Sequence, residues 1–386
     1  MPKIESLSAR TIADSRGNPT IEVTLGTAYG LCVASVPSGA SVGAHEAKVV
    51  EAAKAVAQIN TEVNVALVGK EFNQKNLDDF LLQLDGTPDK SRLGGNAMLG
   101  ISLAFARAAA AEQKVELYWY LGGLAGVSSF SMPTPMFNIL NGGKHARNGV
   151  AIQEYMIVPQ ESGAKQQVES AQRVVESLRT LLAEKGYETA LGDEGGFSPR
   201  LKNNEEGLEL LSEACVRSGA NRCKLALDIA ASSMEHFDKE KMSAWYASIL
   251  KKYPLVSIED PFTEDDWDGF SALRASAGER VLVVGDDLTV TNPARIALAA
   301  QKKAINAVII KPNQVGTVSE TIAAVASAHA HGWKAIASHR SGETLDVWIA
   351  DVAVGLGCEY IKAGAPTKPE RSQKYTRLIE IEKTLS

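Results

Sequence analysis

The sequence has 386 residues, of which 45% are hydrophobic and 22% charged, and this composition is typical of a globular protein that buries a large core. The formal net charge is −6 and no long run of lysine and arginine occurs, which argues against nucleic acid or an anionic membrane as the main partner. A chain of this length is expected to form two domains, and a small molecule is the favoured ligand.

The first residues and the cysteines both favour a cytoplasmic protein. Met-Pro-Lys-Ile-Glu has no basic region followed by an apolar one, and the most apolar predicted helix, residues 100–111, is short. The cysteines lie scattered in apolar or helical segments without a metal or redox motif. They are Cys32, Cys215, Cys223 and Cys358. We therefore expect reduced core thiols and a cytoplasmic location.

Three short apolar segments open the chain, at residues 4–13, 20–25 and 31–36, and turn signals at DSRGNP and GTAYG separate them. They predict an antiparallel meander. The next segment, PSGASVGAHEA at residues 37–47, is rich in glycine, alanine and serine. We interpret it as a lid whose small residues approach a ligand closely and exclude water, and a plain connector is the alternative.

Helical periodicity follows the meander. From residue 46 to residue 84 apolar residues recur every three or four positions, and residues 96–112 form another, alanine-rich helical segment. Glycine, serine and proline then concentrate in residues 121–135, which predicts a domain boundary. The expected division is an N-terminal α+β domain, residues 1–125, and a C-terminal domain, residues 126–386.

The C-terminal part opens irregularly for a β/α barrel. Residues 136–140 and 153–158 predict two strands, and two helical segments follow at residues 170–186 and 204–219 before strands and helices alternate. An order of strand, strand, helix, helix differs from the regular alternation of a TIM barrel.

Beyond this opening, six short apolar runs each end in a polar residue able to do chemistry. Their spacing, between 23 and 31 residues, is close to one strand plus one returning helix. The six terminal residues are Asp228, Glu259, Asp286, Lys311, His339 and Lys362. Because the carboxyl ends of parallel strands open on one face of a barrel, we expect these side chains to converge on one pocket. Three successive carboxylates there suit Mg²⁺, and the sequence has no cysteine and histidine cluster at zinc-ligand spacing.

Ten ordered motifs make the chain resemble the enolase family along nearly its whole length. They are DSRGNPT from Asp14, PSGAS from Pro37, NGGKHA from Asn141, QEYMIVP from Gln153, GDEGGFSP from Gly192, SIEDPF from Ser257, GDDL from Gly285, IKPNQVGT from Ile310, SHRSGET from Ser338 and IKAGAP from Ile361. Enolases interconvert 2-phosphoglycerate and phosphoenolpyruvate, so the resemblance implies this reaction of glycolysis and gluconeogenesis. It also implies an α+β domain followed by a TIM-like barrel of ββαα(βα)6 order, which agrees with the irregular opening.

The resemblance also implies roles for individual residues. Those that match metal ligands are Asp228, Glu259 and Asp286 for a first Mg²⁺ and Ser41 for a second, which arrives with the substrate. Lys311 matches the catalytic base and Glu194 the acid. Those that match positions around the leaving group are Glu154, His145 and His339. Those that match further substrate contacts are Gln153, Arg340, Ser341 and Lys362.

The reaction explains why these residue types are needed. Removing the C2 proton beside a carboxylate creates a doubly charged intermediate, which Mg²⁺ and Lys362 can stabilise. Lys311 must act as a neutral amine, and we expect two metal cations and a neighbouring ammonium to lower its pKa from the ordinary value of about 10.4. Hydroxide leaving from C3 needs a proton from Glu194, kept protonated by Glu154. The planar guanidinium of Arg340 suits the phosphate.

Two other functions remain open from the sequence. A racemase or cycloisomerase of the same superfamily also abstracts a proton beside a metal-bound carboxylate, but such enzymes commonly carry a Lys-x-Lys base, and the strand before Asp228 lacks one. A non-catalytic protein with the enolase fold is less favoured, because buried charges without a ligand or metal are costly. Relative to the family the chain is shorter after Glu46 and after Ala230. The resemblance further implies a homodimer or a larger homo-oligomer.

Overall fold

The computed structural model describes residues 1–39, 43–143 and 150–385 of the chain. Within these residues an antiparallel sheet with helices precedes a closed barrel of eight strands. The predicted fold class, an N-terminal α+β domain and a TIM-like barrel, is therefore confirmed. The placement of the domain boundary after residue 125 stays a prediction.

The N-terminal sheet has the order β1 (Ser6–Ala13), β2 (Pro19–Thr27), β3 (Gly30–Ser35), and both pairings are antiparallel. Val23 in the middle of β2 is fully buried against the long helix that crosses the sheet. A Cβ atom at Gly100 of that helix would lie 2.6 Å from Cγ2 of Val23, so glycine allows the close approach. The predicted meander is confirmed.

The helices of this region are α1 (Ala52–Gln58), α2 (Asn64–Leu67), α3 (Gln74–Asp85), α4 (Gly95–Gln113) and α5 (Leu117–Ala125), with a π-helical turn at Ile59–Val63 between α1 and α2. Two predictions are wrong here. Residues 46–51 are not helical, because the backbone bonds to distant elements instead, as when the Ala47 N–H donates to the Gln314 carbonyl. Residues 121–125, expected in the boundary loop, end α5, because Leu121 is fully buried in the core.

The barrel is built from eight strands. They are β4 (Thr134–Asn141), β5 (Glu154–Val158), β6 (Lys224–Asp228), β7 (Leu255–Glu259), β8 (Leu282–Gly285), β9 (Ala307–Ile310), β10 (Lys334–Ser338) and β11 (Tyr360–Lys362). Strand β5 pairs antiparallel with both β4 and β6, whereas all other neighbours are parallel. The last strand, β11, pairs with β10 and β4 and closes the barrel.

Helices surround the strands. They are α6 (Ala164–Glu184), α7 (Asn204–Arg217), α8 (Lys239–Lys252), α9 (Trp267–Ala277), α10 (Pro293–Lys302), α11 (Pro312–Val315), α12 (Val318–Ala330), α13 (Trp348–Gly355) and α14 (Pro369–Leu385). Side chains cap several of their first turns, and Asn203, for example, accepts the N–H groups of Glu205 and Glu206 at the start of α7. Two strands and two helices precede regular alternation, so the predicted ββαα(βα)6 order is confirmed; α11 is a single extra turn.

An apolar cluster fills the inside of the barrel. Its fully or almost fully buried members are Met136, Met156, Val158, Ala226, Val284, Ala307, Ile309 and Ile336. Side chains two positions apart on a strand share a face, so the residues that follow these along the same face lie at the barrel ends. The interior is therefore a packed core, and only its ends are available for polar chemistry.

The N-terminal region packs on one end of the barrel through backbone and charged contacts. Ser38 and Gly342 exchange two backbone hydrogen bonds, of 2.7 and 2.9 Å. Lys90 Nζ lies 2.8 Å from Oε1 of Glu320 at the start of α12. The contact with Gly342, which follows β10, places Ser38 beside the carboxyl ends of the barrel strands.

All four cysteines are free thiols, and only Cys32 is partly exposed. Among the described residues, no helix combines the length and the apolar character that crossing a bilayer requires.

Candidate active site

The six strand-end residues that the sequence singled out lie at one end of the barrel. They are Asp228, Glu259 and Lys362, which end β6, β7 and β11, and Asp286, Lys311 and His339, which directly follow β8, β9 and β10. All except Glu259 line one cleft. Glu259 is 2% exposed and contacts the cleft through the Lys362 amine. The predicted convergence is found.

The antiparallel strand β5 brings two further predicted residues to the same end. Because β5 runs opposite to its neighbours, its first residue, Glu154, lies opposite the last residue of β6, Asp228. Gln153 precedes it, and its Nε2 donates to Asp228 Oδ2 at 3.3 Å. Gln153 Oε1 is buried and has no hydrogen-bond partner among the described residues. That oxygen remains available to a ligand in the cleft.

Lys362 is buried among three carboxylates. Its Nζ lies 3.1 Å from Glu154 Oε2, 3.3 Å from Asp228 Oδ2 and 2.8 Å from Glu259 Oε2. Burial lowers the pKa of Lys362, but the three carboxylates raise it well above its ordinary value. Burial also raises the pKa of Glu259 to about 8, and the charge of Asp228 adds to this rise. The Lys362 ammonium therefore stays charged and holds acids from three neighbouring strands together.

Lys311 forms an ion pair with Asp286. Burial lowers the pKa of Lys311, and so do Arg340 and Lys362, but Asp286 outweighs them and the pKa lies above its ordinary value. The predicted lowering depends on two bound metal cations and stays a prediction. Arg340 and Lys362 act in the predicted direction, and Asp286, which the fold places against the amine, acts in the opposite one.

His339 is neutral and its tautomer follows from its partners. Burial lowers the pKa of His339 to about 4. Arg371 Nη1 lies 2.7 Å from His339 Nδ1, and because a guanidinium can only donate, Nδ1 accepts and Nε2 carries the proton. Nε2 lies 3.5 Å from Glu194 Oε1. Sequence reasoning missed Arg371, which is fully buried on α14.

Glu194 and Glu154 share one wall of the cleft. Asn138 Nδ2 donates to Glu194 Oε2 at 2.7 Å. One ligand atom each of Glu154, Glu194 and His339 lies within 4.8 Å of the others. Burial raises the pKa of Glu154 well above its ordinary value, and the charge of Glu194 raises it further. Two carboxyl groups placed in this way favour holding a proton between them.

Arg340 and Ser341 line the cleft as predicted. Arg340 is 5% exposed, and its Nη1 lies 3.1 Å from Glu46 Oε2 and donates to Asn313 Oδ1 at 3.0 Å. The sequence indicated neither partner, because both come from segments distant from His-Arg-Ser. Two predicted site residues, Ser41 and His145, lie outside the residues that the structure describes.

The chain matches two family models. Residues 4–121 match the model described as "Enolase, N-terminal domain", and residues 129–241 and 234–386 match "Enolase, C-terminal TIM barrel domain". The chain is also 46% identical, over 412 residues, to the enolase of Mycobacteroides abscessus, with 100% of this chain and 95% of that protein covered. The chain belongs to the enolase family.

Enolases are lyases of the phosphopyruvate hydratase type, and family membership makes this chain an enzyme of that kind with a small-molecule substrate. The two C-terminal matches overlap at residues 234–241.

The enolase family generally implies a divalent metal ion, and the donor set of the cleft fits one. Within the part of the chain that the structure describes, six carboxylates line it, Glu154, Glu194, Asp228, Asp260, Asp286 and Asp287, against three cationic side chains, Lys311, Arg340 and Lys362. Oxygen donors with an excess of negative charge suit a hard divalent cation. Among the described residues, Asp260, Asp286 and Asp287 bring one oxygen each within 4.8 Å of the others.

Asp260 and Asp287 were missed as lining residues. Each directly follows a predicted metal ligand, and the doubled acids of IED and GDD were the available signal. Asp260 accepts the N–H groups of Asp286 at 2.9 Å and Asp287 at 2.8 Å. Burial raises the pKa of Asp287 to about 7, and the charge of Asp286 adds to the rise. Asp286 thus lies among acids and Lys311, whereas Asp228 and Glu259 lie around Lys362.

Proposed function

We propose that the chain catalyses the reversible dehydration of 2-phosphoglycerate to phosphoenolpyruvate with two Mg²⁺ ions, as an enzyme of glycolysis and gluconeogenesis. One observation supports this most. A lysine, Lys311, and a carboxyl pair, Glu154 and Glu194, line one narrow cleft together with an arginine suited to phosphate, Arg340, and more acids than cationic side chains. Such a cleft contains a base, an acid and an anion-binding group for a substrate with two acidic functions.

Lys311 is the base that removes the C2 proton. It reaches the neutral state that this step needs only if the charge of Asp286 is engaged elsewhere, because Asp286 now holds the amine protonated. The proposed ligands of the first Mg²⁺ are Asp228, Glu259 and Asp286, and that of the second is Ser41. When bound there, Mg²⁺ supplies positive charge to the carboxylate that becomes doubly charged in the intermediate.

Lys362 supports the same charge from the protein. Its ammonium is held by Glu154, Asp228 and Glu259 and stays protonated. A fixed cation that is already desolvated stabilises developing negative charge without reorganising. We assign Lys362 to the substrate carboxylate.

Glu194 is the acid that protonates the departing C3 hydroxyl. Asn138 fixes its Oε2, and the Nε2–H of His339 faces its Oε1. Glu154 lies beside it, and burial and the charge of Glu194 raise the pKa of Glu154 above its ordinary value, which supports a proton held on this wall. His339 thus orients the acid, and His145 is proposed to assist at the same leaving group.

Arg340, Ser341 and Gln153 bind the substrate. The Arg340 guanidinium presents N–H donors to the cleft, the Ser341 hydroxyl lies beside it, and the buried Gln153 Oε1 offers an acceptor. These groups orient the phosphate and the hydroxyl of the substrate relative to Lys311.

A coupled assay for phosphoenolpyruvate tests the proposed function. With 2-phosphoglycerate and Mg²⁺ we expect turnover that excess EDTA abolishes and added Mg²⁺ restores, because carboxylates and substrate oxygens hold the ion. Turnover that persists in EDTA would exclude the magnesium mechanism. A phosphate-free hydroxy acid should not react, and its conversion instead of 2-phosphoglycerate would favour a racemase or cycloisomerase.

We further propose a cytoplasmic homodimer or a multiple of it. Leu31 and Val33 lie two positions apart on the edge strand β3 and are 72% and 37% exposed, with Tyr29 at the preceding turn 53% exposed. An apolar strip on an edge strand favours cover by a partner surface. Light scattering at micromolar concentration should give at least twice the monomer mass, and a monomeric mass would contradict the proposal.

A further inference from the structure

Glu46 contacts both Gly43, in the glycine-rich and serine-rich segment, and Arg340, the predicted phosphate-binding residue. Its side chain is buried, with the residue 5% exposed. Oε2 lies 3.1 Å from Arg340 Nη1, and Oε1 accepts the Gly43 N–H at 3.0 Å. Gln314 Nε2 donates to Oε1 at 3.3 Å. Both carboxylate oxygens of Glu46 are therefore hydrogen-bonded. Oε1 accepts from the Gly43 backbone and from Gln314, and Oε2 pairs with Arg340.

Gln314 extends this set of contacts to the catalytic side of the cleft. Its Nε2 also donates to Asp286 Oδ1 at 3.0 Å, and its Oε1 accepts from the Thr291 hydroxyl at 2.6 Å. The Thr291 hydroxyl in turn accepts the backbone N–H of Lys311 at 2.9 Å. Because Gln314 is 1% exposed and bonded at both ends of its amide, it fixes the position of the Glu46 carboxylate.

We propose that Glu46 is a positioning residue: it holds the Arg340 guanidinium in the orientation in which this group lines the cleft and binds the substrate phosphate. The inference rests on the proposed function, in which Arg340 binds the phosphate. A guanidinium carries its N–H donors in one rigid plane, so bonds along one edge determine where the others point. With Glu46 in place the arginine is ordered before substrate binds, and the phosphate meets donors already aligned.

The opposite role would have the opposite consequence. If the Glu46 carboxylate occupied the place of the phosphate, it would repel that group, and removing its charge would tighten phosphate binding. A positioning role predicts weaker binding instead. The direction of the change in phosphate affinity therefore decides between the two roles.

The test uses Glu46→Gln in the full chain, with inorganic phosphate titrated calorimetrically into protein treated with chelator. Glutamine keeps the shape and one acceptor oxygen but loses the charge that pairs with Arg340. We expect the Kd for phosphate and the KM for 2-phosphoglycerate to rise about tenfold and kcat to change less than about threefold, because one charge-assisted contact that acts on binding is weakened. An unchanged or lower Kd would overturn the proposal.

Two further variants separate positioning from general stability. Glu320→Gln removes the charge of another contact between the N-terminal region and the barrel, the ion pair with Lys90, and should leave phosphate affinity unchanged. Arg340→Lys lacks the planar fork, so adding Glu46→Gln to it should weaken phosphate binding by less than the product of the two single effects. Fully multiplicative effects would show that Glu46 does not act through Arg340 and would overturn the proposal.

The phosphate titration and the turnover assay test different claims. If the unmodified protein forms no phosphoenolpyruvate with Mg²⁺, the proposed function fails, whereas the titration still measures whether Glu46 orients Arg340. If the protein is active and Glu46→Gln changes neither Kd nor KM, the proposed function holds and the role of Glu46 is wrong. Thermal unfolding of each variant checks that the variant is folded.

Discussion

The two halves of each barrel strand face very different surroundings, although they belong to the same short segment. On the inward face, an apolar residue in the barrel interior is followed two positions later by a polar one at the end of the barrel. Such pairs are Ala226 and Asp228, Val284 and Asp286, Ile309 and Lys311, and, in reverse order on the antiparallel β5, Glu154 and Met156. A rise of about 7 Å along a strand therefore separates a packed apolar core from a charged cleft.

The comparison shows that the two ends of a strand contribute to different properties. The apolar residues are buried with other apolar residues and stabilise the fold by burial and close packing. The charged residues at the end are largely buried as well, but each is kept there by an opposite charge, as Lys362 is by Glu259. We therefore expect substitutions in the interior to change stability and those at the end to change chemistry.

Lys311→Ala is expected to show the largest difference between an effect on chemistry and an effect on stability. Removing the base should lower the rate of phosphoenolpyruvate formation by about 10⁴-fold, at the upper end of what acid–base catalysis contributes. Exchange of the C2 proton of 2-phosphoglycerate in D₂O, followed by NMR, should be lost as well. Exchange that continued in this variant would mean that another residue removes the proton.

Glu194→Gln should separate removal of the C2 proton from loss of the C3 hydroxyl, two steps that take place at the same end of the barrel. Glutamine keeps the shape of the side chain but cannot protonate the departing hydroxide, so dehydration should fall by about 10³-fold. Lys311 is untouched, and deuterium should still enter C2 faster than product forms. An equal loss of exchange and dehydration would indicate that Glu194 positions the substrate instead.

Ile309→Ala tests the apolar partner of Lys311, two positions earlier on β9. The side chain is fully buried in the barrel interior, so its truncation should lower the free energy of unfolding by about 2–5 kcal/mol. Because Lys311 and its ion pair with Asp286 are unchanged, kcat should stay close to that of the parent. Urea unfolding measures the free energy of unfolding, and the coupled assay measures kcat. A large loss of kcat in folded protein would show that the barrel interior also affects the chemistry.

A smaller effect is expected at Asp78, a buried carboxylate outside the barrel whose donors are neutral. It accepts from the Ser102 hydroxyl, the Ser319 N–H and the Gln74 amide, and burial raises its pKa to about 6 from the model-compound value of 3.8. Between pH 4 and 6 the unfolded chain loses this proton first, so stability should fall by about 2 kcal/mol as pH rises through that range and then level off.

Asp78→Asn should remove this pH-dependent loss, because an amide does not titrate. Urea unfolding at several pH values between 4 and 7 compares the two proteins, and the difference between their stabilities should change with pH. A difference that stays constant across this range would show that Asp78 has the same pKa in the folded and the unfolded protein.

The sequence predicted the barrel end well because its signals are local. Each run of apolar residues that ends in an acid, lysine or histidine contains both the strand and the residue that the strand carries, and the parallel arrangement then brings the ends together. The irregular opening was also readable, since two strands without an intervening helix imply an antiparallel pair. Glu154 at the beginning of β5, rather than at its end, is what that reversal produces.

The contacts across elements could not be predicted in this way. Arg371 on α14 bonds to His339, and Glu46 bonds to Arg340 over a separation of 294 residues. No periodicity or local propensity encodes such pairs, because they depend on how the N-terminal region and the last helix pack against the barrel. The ion pair of Lys311 with Asp286 was missed for the same reason, since Asp286 comes from the neighbouring strand end.

The last strand of the barrel also sets an order of events for a chain that is still being synthesised. Lys362 follows Glu259 by 103 residues, and at about 5–20 residues per second a ribosome adds this length only several seconds after the acids have emerged. Until then Glu154, Asp228 and Glu259 have no ammonium to neutralise them and are better hydrated than buried. A nascent chain stalled before residue 360 would therefore keep an open sheet, in which the edges of β10 and β4 can pair with another chain until β11 fills the gap.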